Sequence, residues 1–388
     1  MTHFGWDWPW EFGDRFIPRE VHTSQRTTRR HYRTLCTIRA SRGIMSNLFV
    51  ALRKVFRSKS SPRLPEDPSR RVHSESRSSA TKSTDVITAM NSTDMTVMEE
   101  SGTASTTSHF RWMDGRRFNV TSGIHYVMPN DATESDRMML EHFMLREMFQ
   151  GRNFHAPIGK ALKAGIKVLD FGCGPGTWSL EMATDYPNSQ FIGIDIADGF
   201  PESIRPINCE FRIVNVRHQL PFEDMSFDYI FIRNMAFTIA QTDLPEVFQE
   251  IFRILRPGGV VEMVEMDIEQ KRRGPQSKMG NSRMIHGLQA RGIDVYLART
   301  LDSFLAENGF SNPQTNFGSI PIGWGGKLGE AMQQNIELSM AALKTFYTSA
   351  LNYTNEQFDA LVEAMKVENV QYESYSNYHY AFASRPLS

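Results

Sequence analysis

The chain has 388 residues with 43 Lys and Arg against 44 Asp and Glu, long enough for a full-sized core and for two or three domains. Its three cysteines, Cys36, Cys173 and Cys209, lack Cys-x-x-Cys spacing, which excludes a disulfide framework and a cysteine-built zinc site. No run of about eighteen apolar residues occurs, so no spanning helix is expected, and a reducing compartment, cytoplasmic or nuclear, fits the composition.

Residues 1–108 are rich in Ser, Thr, Arg and Pro with few periodic apolar positions, and are expected to form a disordered extension because they cannot bury enough surface to offset ordering entropy. Between Arg26 and Lys82 stand fifteen Lys or Arg and three Asp or Glu, while the chain from Ser83 on is acidic. This reads as a basic arm on an acidic body, and such an arm can dock on a polyanion such as nucleic acid. Asp7, Glu11, Asp14 and Glu20 spoil a secretory or transit peptide, although a chain begun at Met45 would look mitochondrial. The aromatic cluster "FGWDWPWEF" is either a docking peptide or part of an unstructured extension.

Order is expected to begin near "FRWMDGRRFN" and to continue in a helical lid segment over 109–165. In "ESDRMMLEHFMLREMFQG" the residues Met138, Leu140, His142, Phe143, Leu145 and Met148 fall on one broad apolar side, with Gly151 at the end. From Gly165 the pattern changes. "KVLDF", "QFIGID", "CEFRIVNV", "FDYIFI" and "GVVEMVEM" are short, β-rich and continuously apolar, as expected of parallel strands covered on both faces. Leu244, Val247, Phe248, Ile251 and Leu255 recur at helical spacing after a capping box of Asp243 and Glu246, and Pro257-Gly258-Gly259 should stop that helix. The repetition predicts an α/β fold with a doubly wound, mostly parallel sheet over 166–388. Beyond Asp267 three helical stretches predict a cap over about 268–370, with late strands at "QTNFGSIPI" and "YSNYHYAFAS".

In such a sheet the first strand-to-helix turn makes the closest approach to a ligand, and here it reads Asp170-x-Gly172-x-Gly174-x-Gly176. Glycines let backbone amides reach a ligand and permit positive φ. Asp195 ends the second strand, nineteen residues past Gly176, and can accept both hydroxyl hydrogens of a ribose. A nicotinamide or flavin dinucleotide site would need glycine where Thr177 stands. An acid at the end of the first strand repels phosphate and suits a cationic amino-acid ligand, of which S-adenosylmethionine is one.

These motifs, with "FDYIFIRN" and "LRPGG" in order behind them, resemble class I S-adenosylmethionine-dependent methyltransferases over Lys167 to Asp267. The resemblance implies a Rossmann-like sheet of seven strands. It also implies that Asp170, Gly172, Cys173, Gly174 and Gly176 hold the methionine moiety, Asp195 the ribose, Ile196 a flank of the adenine, and Asn215 with Val216 the adenine amino side. "YVMPNDATESDRMMLEHFMLREMF" and "IPIGWGGKLGE" extend the likeness to the fungal LaeA-like methyltransferases from about Tyr126 to the C-terminus, which makes Tyr126, Asn130 and Asp131 lid candidates. That family includes methyltransferases of small molecules and regulators of secondary metabolism acting through protein partners, so the acceptor, small molecule or protein, stays open.

Methyl transfer from a sulfonium is an in-line displacement in which charge disperses, so positioning can supply most of the catalysis. His155, His218 and His286 are the histidines available as bases, against the usual structural role of a lone histidine; His218, after the adenine-facing strand, is the choice. Arg233 and Asn234 close the fourth strand where the acceptor approaches, or simply form a strand-end pair. The same position lacks the Asn/Asp-Pro-Pro-aromatic signature of enzymes that methylate base amino groups. Trp178 and Phe171 are expected to pack in the core. Glu262, Glu265 and Asp267 share one strand without a clear magnesium cluster, so no metal is expected. Removal of residues 1–108 should leave folding and cofactor-induced thermal stabilisation unchanged while altering the cellular distribution of a fluorescent fusion; loss of stabilisation would place the arm within the domain.

Overall fold

A computed structural model describes residues 110–119 and 126–387. The expectations for 1–108 lie outside the described residues. Strands β1 (Phe110–Met113) and β2 (Arg116–Asn119) form an antiparallel hairpin whose turn residues, Asp114 and Gly115, both have positive φ, at 50° and 72°. An Asp-Gly pair tolerates that geometry, and it matches the twist of the paired strands.

The body is a seven-stranded sheet in the order β5, β4, β3, β6, β7, β9, β8. Its strands are β3 (Lys167–Phe171), β4 (Gln190–Asp195), β5 (Cys209–Ile213), β6 (Phe227–Arg233), β7 (Leu255–Met266), β8 (Ser311–Pro321) and β9 (Tyr375–Ser384). β3 to β7 pair in parallel, and β9 runs antiparallel to both neighbours. Alternation along the strands sends Leu169, Ile194, Ile230, Ile232 and Met263 to one face, where α4 (Leu244–Ile254) supplies Val247, Phe248 and Ile251. Val168, Phe191, Tyr229, Phe231 and Val264 point to the other face. There Trp178 and Met182 of α3 (Thr177–Asp185) and Leu162 of α2 (Gly159–Ala164) cover them.

A third core joins α5 (Pro275–Gln289), α7 (Lys327–Ala350) and α8 (Asn355–Gln371) through Ile285, Leu288, Met340, Phe346, Phe358 and Leu361. The short α6 (Leu301–Glu307) instead joins the core on the α4 face of the sheet through Leu301 and Leu305. α5 is not among the predicted helices, because Gly280 and Gly287 interrupt its pattern. Both are there for close approach: a Cβ at Gly280 would lie 2.9 Å from Leu361, and one at Gly287 2.6 Å from Leu351.

One local expectation is corrected. Asp243 precedes α4 but makes no side-chain cap; its carboxylate pairs with Arg217 at 2.7 Å. A capping box is instead present at Thr354 and Gln357, starting α8.

The helix read as apolar on one side, α1 (Ala132–Met148), buries charge as well as hydrocarbon: Glu134, Arg137 and Glu141 are buried beside His142, Met144 and Leu145. Arg137 donates to Glu134 at 2.7 Å, to Glu141 at 3.1 Å and to Asn335 of α7 at 3.0 Å, while Tyr378 of β9 donates to Glu141 at 2.8 Å. Burial opposes the charge on Glu141, but Arg137, the Tyr378 hydroxyl and Arg233 together hold its carboxyl below the ordinary value. Arg137→Ala should therefore cost about 3–5 kcal/mol in urea unfolding, because two buried carboxylates lose their partner. A loss under about 1 kcal/mol would show that the network is replaceable.

Candidate active site

The turn between β3 and α3 carries Gly172, Gly174 and Gly176 at φ 74°, 52° and 73°. Left-handed backbone three times within five residues is the conformation that side chains resist and glycine accepts. Space makes the same demand at Gly176, where a Cβ would sit 2.4 Å from the Phe211 ring of β5. The turn is pinned to β4: the N–H groups of Gly172 and Cys173 both donate to the Ile194 carbonyl at 2.9 Å. Gly174 N–H donates to Asp195 Oδ2 at 2.8 Å, and Ala197 N–H donates to Oδ1 at 2.9 Å. Burial raises the Asp195 carboxyl above its ordinary value, and the backbone donors of Ala197, Gly174 and Ile196 moderate the rise.

Asp170 is buried, accepts from Ser179 Oγ at 2.7 Å, and is pushed by burial up to about 6 against the pull of Ser179 and Arg233. Cys173 is buried and its thiol is held well above its ordinary range, chiefly by burial and then by Asp170, so it serves packing and not nucleophilic chemistry. Ile196 is half-buried behind Asp195. Asn215 accepts from the Arg217 amide at 3.1 Å, and Val216 packs against the core beneath. His218 is exposed in the same turn.

The lid segment lies over this turn. Burial, and then the charge of Glu134, raise the Tyr126 hydroxyl well above its ordinary value, and Asp195 contributes to the same shift. Asp131 is the N-cap of α1, accepting from Glu134 N–H at 3.1 Å and pairing with Arg116 at 2.6 Å. Asn130 presents both ends of a buried amide without a hydrogen-bond partner, as do the buried Thr177 Oγ1 and Asn234 Oδ1. Two methionines were not legible as site residues. A Cβ on Gly174 would meet Met138 Sδ at 3.0 Å, and one on Gly172 would meet Met235 Sδ at 2.2 Å.

The strand-end acids are committed to loops. Glu265 accepts from Met235 and Ala236 N–H groups at 3.0 and 3.1 Å. Glu262 accepts from Ala156 N–H at 2.8 Å and Tyr229 at 2.9 Å. Asp267 pairs with Lys271 and Arg299, each at 2.8 Å. Among the described residues no group of three or more His, Cys, Asp or Glu is placed to hold a metal ion. His155 stacks on Tyr380 at 3.5 Å, and His286 is exposed on α5.

A methyltransferase-domain family profile matches residues 168–259, the span from β3 into β7 that carries this turn. The match is in keeping with the resemblance to class I S-adenosylmethionine-dependent methyltransferases. The chain is 29% identical over 281 residues to methyltransferase pytC of Aspergillus terreus, covering 68% of this chain and 84% of that protein. It is 33% identical over 165 residues to the secondary metabolism regulator LAE1 of Cochliobolus heterostrophus, covering 42% of this chain and half of that protein. Methyltransferase str2 of Strobilurus tenacellus is 26% identical over 187 residues, with 46% and 64% covered. These relatives bear out the likeness to the LaeA-like fungal methyltransferases.

The residues of the methyltransferase turn fit S-adenosylmethionine. Two carboxylates, Asp170 and Asp195, flank a turn of left-handed glycines, and the unpartnered amide of Asn130 adds polar capacity on the lid side. Burial pushes Glu265 from its ordinary 4.5 up to about 8, so it favours the folded state while protonated. That contribution is complete below 4.5 and is lost as pH rises through about 8. Glu265→Gln should flatten the fall in urea stability between pH 5 and 8; an unaltered slope would contradict the assignment.

Proposed function

We propose that the chain binds S-adenosylmethionine at the glycine turn and transfers its methyl group to a small-molecule acceptor of the secondary-metabolite class or to a protein. The carrying observation is the left-handed turn of Gly172, Gly174 and Gly176 hydrogen-bonded to Asp195 through Gly174. When bound, S-adenosylmethionine supplies an electrophilic methyl on a sulfonium. Asp195 uses its two backbone donors to fix its carboxylate and keeps lone pairs for ribose hydroxyls. Asp170, on the far side of the turn, favours a cationic ligand over a phosphate.

Acceptor chemistry is assigned to the end of β6. Asn234 adopts φ 56° there and offers a buried, unpartnered Oδ1 that can orient an acceptor hydroxyl or amine. Arg233 is half-buried beside it. His218, exposed and uncommitted after β5, is the candidate to take the proton that the acceptor loses. The lid closes the site from water, as a desolvated displacement requires.

The alternative is a methyltransferase-like regulator of secondary metabolism that works through protein partners, in the cytoplasm or nucleus. The similarity to LAE1 supports it, as does the basic arm over 26–82. The match to pytC, which covers far more of the partner protein, favours the enzyme. Among the described residues no helix is long and apolar enough to cross a membrane.

Calorimetric titration should show binding of S-adenosylmethionine and none of NAD, and Asp195→Ala should weaken the former at least about tenfold, or 1.4 kcal/mol. Affinity within about threefold of the parent in a folded Asp195→Ala protein would overturn the ribose role. Incubation with methyl-labelled cofactor and a host extract separates the readings: label in metabolites or protein supports the enzyme, and none supports the regulator.

A further inference from the structure

The seven-stranded sheet has two edges, and they are built differently. β8 carries Pro313 and Pro321, a register shift between Ser311 and Gln314, and Asn312 at φ 55°, all of which spoil pairing with a further strand. β5, at the opposite edge, has no proline, no lysine and no register shift. Its ladder with β4 is regular: Phe191 N–H donates to the Asn208 carbonyl and Val214 N–H to the Asp195 carbonyl, each at 2.8 Å. In a parallel ladder of this register Glu210 and Arg212 also turn their backbone groups toward β4, so Cys209, Phe211 and Ile213 turn theirs outward. Arg205 donates to the Cys209 carbonyl, and Cys209 N–H donates to the Pro206 carbonyl at 3.1 Å. Among the described residues nothing takes the N–H and C=O groups of Phe211 and Ile213.

The side chains of this edge are also unfinished. The crossover from β4 to β5 is a loop, whereas that from β3 to β4 is a helix, and the loop leaves Ile204 and Ile207 exposed beside the exposed Ile213 of the strand. On the α4 face Glu210 and Arg212 pair with each other at 2.7 Å while both stay well exposed. An exposed pair of this kind contributes little to the stability of the single chain.

We propose that β5 pairs antiparallel with β5 of a second copy of this chain, about a two-fold axis at Phe211, to make one sheet continuous across both copies. The axis joins the two Phe211 residues through both of their outward N–H and C=O groups. It also sets Glu210 opposite Arg212 of the second copy, and Arg212 opposite Glu210, so the edge is complementary to itself twice over. Opposite charges across a strand pair attract, and like charges repel. An axis moved to Arg212 would bring two guanidiniums face to face, so charge selects the register. Pairing further covers Ile213, and a two-fold contact uses the same patch on both copies and closes.

The test is sedimentation equilibrium of the full chain and of Glu210→Arg, Arg212→Glu and the double exchange Glu210→Arg with Arg212→Glu, each checked for folding by circular dichroism. The parent should associate to a dimer and no further at up to about 100 µM chain. Each single change sets like charges opposite one another at both places and should weaken the dimer at least about tenfold. The double exchange restores both pairs with their ends reversed and should return the dimer constant to within about threefold of the parent. Should a charge variant fail to fold, Ile213→Lys, at an exposed position, should weaken the dimer at least about tenfold. A monomeric parent, which would leave the edge to a strand of some other protein, overturns the proposal, as do open-ended polymers, a dimer unchanged by the folded single variants, or a double exchange that does not restore it.

Discussion

Buried carboxylates that accept hydrogen bonds from loop backbone hold the working end of this molecule together. Asp195 takes the amides of Gly174 and Ala197, Glu265 those of Met235 and Ala236, Glu262 those of His155 and Ala156, and Glu368 those of Gln276 and Ser277. Loops leave a sheet with unpaired N–H groups, and an acid placed beneath them satisfies two at a time. The acid gains hydrogen bonds but loses hydration, which is why Glu262 and Glu265 rise to about 7 and 8. The segments so held are the turns after β3, β4 and β6, the loop before α2 and the first turn of α5.

The sheet was legible because its information is local. Each of β3, β4, β6 and β7 is a continuous apolar run bounded by turn residues, and covering both faces needs no partner more distant than the next helix. The glycine turn was legible for the same reason, since spacing alone separates it from a dinucleotide turn. α1 was readable as a helix but not as a buried charged seam. Glu134, Arg137 and Glu141 look like a solvated face until Asn335 and Tyr378, about 200 residues away or more, supply their partners. Separations of 39 and 91 residues likewise hid the Arg233–His142–Glu181 chain, and Met235 reaches Gly172 across a similar stretch. α5 was missed because glycines that break a solitary helix are what let two helices touch.

Position in chain also misled at Asp243. The Asp-x-x-Glu pattern satisfied a cap rule, yet Arg217 offered a full charge where the helix offered partial ones, and the ion pair prevailed. Local rules give way where tertiary charge is at stake.

The two sulfurs against the glycine turn set how the cleft changes size. Met138 and Met235 are unbranched, with three rotatable bonds each, so their tips can swing aside while the backbone that carries them stays where α1 and the β6 end hold it. Accommodation at this turn is then a matter of rotamers, whose exchange is fast, and not of lid travel, which is slow. A branched residue such as Ile at Met138 would turn a soft plug into a fixed one and make entry wait on movement of the whole helix.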